Sequence, residues 1–145
     1  MTMTKAARKS DPLQALGDLL RILYRSLPMY LAEARPWVRR GGEKLASAVA
    51  AIAGDQCLFA HRVAQAVIDL GGHPAPGAFP YQFTSVHDLA IDYLIERLIE
   101  CQRRDVTRIG RCVEDLAGVP QHAALAEEIL GNARGHLETL EQLSK

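Results

Sequence analysis

Residues 71–84, GGHPAPGAFPYQFT, decide how this chain folds, because they are too long for a turn between two helices. Their three glycines and three prolines end the helical pattern that precedes them. At about 3.3 Å per residue such a connector can stretch to about 45 Å. A helix of about 27 residues is about 40 Å long. The connector therefore predicts a crossover along the length of a helix, so that the helices before and after it lie parallel.

Apolar residues recur at steps of three and four on both sides of this crossover, and no strand-like alternation persists. Proline at position 28 is expected to kink the first helix, because it removes a backbone donor and crowds the preceding turn. Short turns at the other two junctions predict an all-α, antiparallel four-helix bundle with one long crossover between helices 2 and 3. Residues 1–10 are predicted to be a flexible N-terminal tail, and residues 11–145 a single bundle domain. The four predicted helices span about residues 12–36, 43–70, 85–116 and 121–143.

The composition excludes several classes of function. Lys plus Arg equals Asp plus Glu at 17 each, so no charge excess favours nucleic acid or an anionic membrane as a partner. No apolar run approaches the ~20 residues of a membrane-spanning helix, and the N-terminus lacks the apolar stretch of a secretory signal. The three cysteines form no CxxC pair, and their odd number is typical of a reducing compartment. We therefore expect a cytoplasmic protein.

Two short patterns accompany the predicted crossover: LGGHP at residues 70–74 and HLE-x-L at residues 136–140. Together with the topology they resemble the ferritin-like superfamily, which includes the bacterioferritins and rubrerythrins, over about residues 13–143. The resemblance implies a two-metal site in the core of the bundle. In that site two helices each contribute one carboxylate, and the other two each contribute a Glu-x-x-His pair.

Three of the six positions that the resemblance assigns to metal ligands hold residues that cannot bind a metal. Counting along the helices from the two patterns gives a pair on helix 2, a pair on helix 4 and one position each on helices 1 and 3. These positions are occupied by Gln56 and Phe59, Ala133 and His136, Leu23, and Asp105.

Only Asp105 and His136 have ordinary metal-binding side chains there, and Gln56 offers a weak oxygen ligand. Iron and zinc sites usually need three or four protein ligands, so the resemblance implies a degenerate di-iron site without a bound cofactor. Close packing requires that the vacated volume be filled. We expect Leu23, Phe59 and Ala133 to fill it.

This degenerate site favours a non-catalytic protein with a structural or protein-interaction role. No nucleophile elbow or phosphate-binding loop argues for an enzyme. Asp105 and His136 are hypothesised to form a buried pair near Gln56, because an unpaired buried carboxylate is costly. The alternative is a metal-binding protein, either an oxidase or an iron-handling protein. Its site would be atypical, with fewer ligands than usual, and would be built around Asp105 and His136. A surface cluster of His87, Asp88 and Asp92 is a second candidate for a metal.

A third class of function remains open beside His136. Gly131 and Gly135 have no side chains and so leave space on the surface of the fourth helix there. Two glycines inside a helix favour either the close approach of a neighbouring helix or a slot for a small ligand or haem. The crossover at residues 71–84 is predicted to be an ordered strap or a surface for a protein partner. A homodimer is expected to form through helices 1 and 2 and this strap, with Tyr24, Trp37 and Val38 contributing apolar area.

Overall fold

The computed structural model describes residues 11–86 and 89–145. The predicted tail at residues 1–10 lies outside the described residues, and so do His87 and Asp88. The described part of the chain is mostly helical and contains no strand, only one isolated bridge between Trp37 and Ala90. The all-α class is therefore confirmed.

The described residues contain five α-helices and two 3-10 turns. The 3-10 turns, Tyr81–Val86 and Ile91–Leu94, lie in the crossover, which in the structure reaches from the helix end at Asp69 to the next helix start at Ile95. The helices are α1 (Pro12–Tyr24), α2 (Leu27–Ala34), α3 (Glu43–Asp69), α4 (Ile95–Asp115) and α5 (Pro120–Leu143).

The first predicted helix is two helices rather than one kinked helix. Helix α1 ends at Tyr24, and α2 begins at Leu27 with Ser26 as its N-cap. The Ser26 hydroxyl accepts a hydrogen bond from the Met29 amide at 3.2 Å. Pro28 therefore lies in the first turn of α2, where the amide hydrogen that proline lacks would have had no partner within the helix.

The third predicted helix begins ten residues later than expected, at Ile95 instead of Ser85. Among the intervening residues, Ser85 and Val86 end the first 3-10 turn, and Ile91–Leu94 form the second. Apolar residues three apart share a face in such turns much as they do in an α-helix. The Ile91 amide donates to the Trp37 carbonyl at 2.8 Å and ties the end of the crossover to the loop after α2.

The helices pack with antiparallel neighbours: α1 against α3 and α4, and α5 against α3 and α4. The Ser26 hydroxyl meets Gln56, and a Cβ on Gly72 would touch Leu13, so α1 and α3 run in opposite directions. Helices α3 and α4 are each antiparallel to α5, so they are parallel to each other.

Two hydrophobic clusters fill the interior. The first joins α1, the C-terminal half of α3, the C-terminal half of α4 and the N-terminal half of α5. The second joins α2, the N-terminal half of α3, the crossover, the N-terminal half of α4 and Leu140. Along α3 the clusters are separated between Ile52 and Ala60, and along α4 between Cys101 and Ile109.

Candidate functional site in the helical interior

A layer of buried polar side chains separates the two hydrophobic clusters. It lies at the depth where the sequence placed the remnant ligands, since Gln56 and Asp105 both belong to it. Burying polar groups costs free energy unless they are hydrogen-bonded, so their partners show how the layer is stabilised. The buried members of this polar layer are Ser26, Gln56, Gln102 and Asp105.

Gln56 is held by the junction between α1 and α2. The Ser26 hydroxyl donates to the Gln56 Oε1 atom at 2.6 Å, and both side chains are buried. The same hydroxyl oxygen caps α2 through the Met29 amide. Gln56 thus joins α3 to the start of α2, and the oxygen that would bind a metal is already engaged.

Asp105 is only 8% exposed and lies beside an arginine of its own helix. Its Oδ1 atom is 3.5 Å from Nη1 of Arg108, which is long for a strong hydrogen bond. Burial raises the pKa of Asp105 to about 6, although the positive charges of Arg108 and Arg104 lower it. Asp105 lines a cavity together with Ser26, on the α1–α2 side of the fold.

His136 pairs with Asp55 and not with Asp105. The His136 Nε2 atom lies 2.7 Å from Oδ2 of Asp55, and the same oxygen accepts a hydrogen bond from the Asn132 amide group at 2.9 Å. The bond from Asn132 is the largest cause that lowers the pKa of Asp55, partial burial opposes it, and His136 lowers the pKa further. The hypothesised pair of Asp105 and His136 is therefore replaced by a pair that joins α5 to α3.

Sequence reasoning did not select Asp55, because it lies beside the apolar stripe of its helix. Asn132 and His136 are four residues apart, so they present their side chains on the same face of α5. An antiparallel neighbour can place one acceptor between two such groups. That spacing is the signal that would have indicated a carboxylate on α3.

Gln102 is the second polar residue that sequence reasoning missed. It is 1% exposed, and its side-chain amide donates to the Ala133 carbonyl at 3.1 Å. Its Oε1 atom has no hydrogen-bond partner among the described residues. This bond places Gln102 level with Ala133, within one turn of Asp105, and supports the predicted depth of the layer.

The three residues predicted to fill the vacated volume border the layer on one side. Leu23 and Ala133 are buried in the first hydrophobic cluster, and Phe59 is half-buried against it. The guanidinium of Arg62 lies over the Phe59 ring, 5.5 Å from its centre. Within residues 11–86 and 89–145, no group of three or more His, Cys, Asp or Glu side chains is arranged to hold a metal ion.

The other candidate residues lie apart from the layer. Asp92 is half-buried, and one of its carboxylate oxygens has no partner in the described part of the chain. Its predicted companions, residues 87 and 88, lie outside that part. Gly131 and Gly135 are exposed, and a Cβ at either would meet no atom within 4 Å. These glycines therefore neither allow a close helix contact nor line an enclosed slot beside His136.

The crossover is anchored by aromatic contacts. Tyr30 of α2 contacts Phe79 and Phe83, with ring centres 5.1 Å and 5.5 Å apart. Arg25 donates to the Ala78 carbonyl at 3.1 Å. Beside this anchor lies an apolar groove of about 660 Å³ between the α1–α2 segment, the crossover and α3; its walls include Tyr24, Met29, Ala53, Cys57 and Phe79.

The fold and the site define an all-α protein with a polar layer inside its helical core. In the described residues, no helix is both long enough and apolar enough to cross a membrane. No protein-family model, curated protein or solved structure matches the chain.

Proposed function

We propose that this protein is a ferritin-like four-helix bundle that has lost its di-metal centre and acts without catalysis, as a homodimeric structural or protein-interaction subunit. The observation that carries the proposal is the polar layer. It occupies the depth that a di-metal site would take, and its side chains are engaged with protein groups instead of converging on one point.

The three remnant candidates are directed to different neighbours. Gln56 accepts from Ser26 at the α1–α2 junction, Asp105 lies against Arg108, and His136 binds Asp55 on the flank of α3. Gathering three donors around one ion would break several of these contacts. A buried group that loses its partner costs about 1–3 kcal/mol, so the present arrangement disfavours metal binding.

The outer face of α3 supports the proposal of a homodimer. Surface helices normally expose polar residues on their outer face. On α3, however, Leu58 is 66% exposed and Ile68 is 51% exposed. The exposed positions follow the alternating steps of four and three that form the seam of a coiled coil. These positions are Ser47, Ala51, Gly54, Leu58, His61, Gln65 and Ile68.

A second copy of the chain fits this seam with two-fold symmetry. If two α3 helices pack antiparallel about a centre near residue 56, Leu58 of each protomer faces the partner's Gly54. The exposed Gly54 has open space where a Cβ would lie, so it can receive a large side chain. A seam about 40 Å long and about 10 Å wide covers about half of the ~800 Å² per partner of a stable interface. The apolar groove between the α1–α2 segment, the crossover and α3 adjoins this seam and supplies further contact area. It lies on the side formed by the first two predicted helices and the crossover, through which the sequence predicts the dimer.

Light scattering during gel filtration over a range of protein concentrations tests the homodimer. We expect the wild-type protein to have twice its 15.9 kDa chain mass, and the Leu58→Glu variant to be a monomer with unchanged helix content. The matched control is Leu89→Glu, which alters an exposed leucine outside the seam. A wild-type protein that stays monomeric at millimolar concentration would contradict the proposal.

Metal analysis tests the non-catalytic part of the proposal. Protein purified without a chelator should contain much less than one equivalent of iron, zinc or manganese per chain. A stoichiometric metal that is lost in both His136→Ala and Asp105→Asn would favour the metal-binding alternative.

A further inference from the structure

A charged cavity of about 540 Å³ opens on the α1–α2 side of the polar layer. Its walls are the junction between α1 and α2, the crossover turn at Tyr81–Val86 and one face of α4. Small-molecule sites in proteins commonly have volumes of about 300–1,000 Å³. The charged side chains that line it are Arg25, Arg97, Glu100, Arg104, Asp105 and Arg108.

The spacing of the arginines explains why they meet at one cavity. Arg97, Arg104 and Arg108 are seven and four residues apart, so they share one face of α4. Arg25 approaches from the opposite wall, at the end of α1. The lining therefore carries two more positive than negative side chains when both carboxylates are ionised.

Three arginines outside the cavity, Arg21, Arg62 and Arg103, have carboxylate partners in the described residues. Arg62 pairs with Glu128 and Arg103 pairs with Glu141, at 3.0 Å and 2.8 Å. Among the four arginines of the cavity, Arg108 is the only one within 4.0 Å of a carboxylate in the described residues, and its distance is 3.5 Å. The positive charge of the cavity is thus poorly compensated by the protein itself.

Two of these arginines also hold the crossover over the cavity. Arg25 donates to the Ala78 carbonyl at 3.1 Å, and Arg97 donates to the Gln82 carbonyl at 3.5 Å. A guanidinium group has five N–H donors, so these contacts use only a small part of its capacity. The backbone contacts restrain the side chains, and restrained donors bind an anion at a lower entropic cost.

We propose that this cavity binds a small molecule that carries a phosphate monoester. Guanidinium groups match the oxygens of a phosphate with paired hydrogen bonds, and a dianion balances the excess of two positive charges. Pro80 in the same lining is exposed and provides an apolar surface for the rest of the molecule. The interior position of Asp105 sets a limit on affinity, because its ionised carboxylate repels the phosphate.

Calorimetric titration at pH 7.5 and fixed ionic strength tests this site, with phenyl phosphate as the probe and phenol as its uncharged counterpart. We expect one saturable site per chain for phenyl phosphate and no measurable binding of phenol. Arg25→Gln and Arg104→Gln should each weaken binding about 10-fold or more, because each removes charged hydrogen bonds. Asp105→Asn should strengthen binding several-fold.

Arg103→Gln is the matched control, since Arg103 is next to Arg104 but pairs with Glu141 away from the cavity. It should bind phenyl phosphate like the wild type. Helix content and thermal unfolding of every variant establish that it is folded. The proposal is overturned if folded wild-type protein shows no saturable binding, or if Arg103→Gln weakens binding as much as Arg104→Gln. Equal binding of phenol and phenyl phosphate would overturn it as well. This titration tests phosphate binding independently of the proposed homodimer. The Leu58→Glu variant, which tests the homodimer, alters a different face of the protein.

Discussion

Replacement of Asp105 by asparagine should stabilise this protein at neutral pH. The carboxyl group is 8% exposed, and burial raises its pKa from the ordinary 3.8 to about 6. The unfolded chain therefore loses this proton near pH 4, whereas the folded protein keeps it until about pH 6. Stability from this group is greatest below about pH 4, falls as the pH rises to about 6 and stays low above that.

The size of the effect follows from the two pKa values. At 1.36 kcal/mol per pH unit, the difference between 3.8 and about 6 corresponds to about 3 kcal/mol at pH 7.5. Asparagine has nearly the same shape and no charge, so it avoids most of this cost. It also loses the attraction to Arg108 and Arg104, which the raised pKa already includes. We expect the Asp105→Asn variant to gain about 1–3 kcal/mol in free energy of unfolding at pH 7.5.

Urea unfolding followed by circular dichroism at pH 4.0 and pH 7.5 measures this gain. It should be large at pH 7.5 and below about 1 kcal/mol at pH 4.0, where the wild-type carboxyl group is protonated in the folded state. Glu114→Gln, an exposed carboxylate of the same helix, is the control and should change stability by less than about 0.5 kcal/mol. A variant that is no more stable than the wild type at pH 7.5, or a gain that is equal at both pH values, would refute the reasoning.

Three further variants test other parts of the structure by urea unfolding. Ser26→Ala should lower the free energy of unfolding by about 2–4 kcal/mol, because it removes the cap on the Met29 amide and the partner of buried Gln56. A loss below about 1 kcal/mol would contradict this expectation. Gly135→Ala should raise the free energy of unfolding by about 1 kcal/mol, because alanine favours a helix and meets open space there; an unchanged or lower stability would show that the glycine has another role. Phe59→Ala should lower the free energy of unfolding by about 2 kcal/mol, which is less than for a fully buried ring, because Phe59 is half-buried. The loss should be the same with and without EDTA. A loss that depends on EDTA would indicate a bound metal.

The long helices could be predicted from the sequence because their apolar stripes follow a single period. Helix α3 was predicted at residues 43–70 and ends at Asp69, and α5 was predicted at residues 121–143 and begins at Pro120. The direction of α4 relative to α3 followed from the length of the crossover alone. These features depend on burial of a continuous stripe, which the sequence displays directly.

The break between α1 and α2 was missed because two patterns compete at the same residues. The apolar steps continue through Leu23 and Leu27 and favour one helix. Ser26 followed by Leu27 and Pro28 favours a new helix start, with a cap and a proline in the first turn. The cap prevails, and its hydroxyl also satisfies buried Gln56.

The depth of the polar layer could be predicted, but the partners within it could not. An apolar stripe covers an arc of about 100° or more, so residues at its two edges face different neighbouring helices. Asp105 faces the α1–α2 side, whereas His136 faces α3. Residue counting fixes the height along a helix to within about a turn and leaves this angle undetermined, which is why Asp55 was missed.

X-ray diffraction with anomalous data, from crystals grown without chelator and soaked in manganese or zinc, tests the central claim most directly. We expect no anomalous peak at the polar layer, with the hydrogen bonds from Ser26 to Gln56 and between His136 and Asp55 intact. An ion bound there by three or more protein donors, with Asp105 among them, would contradict the account.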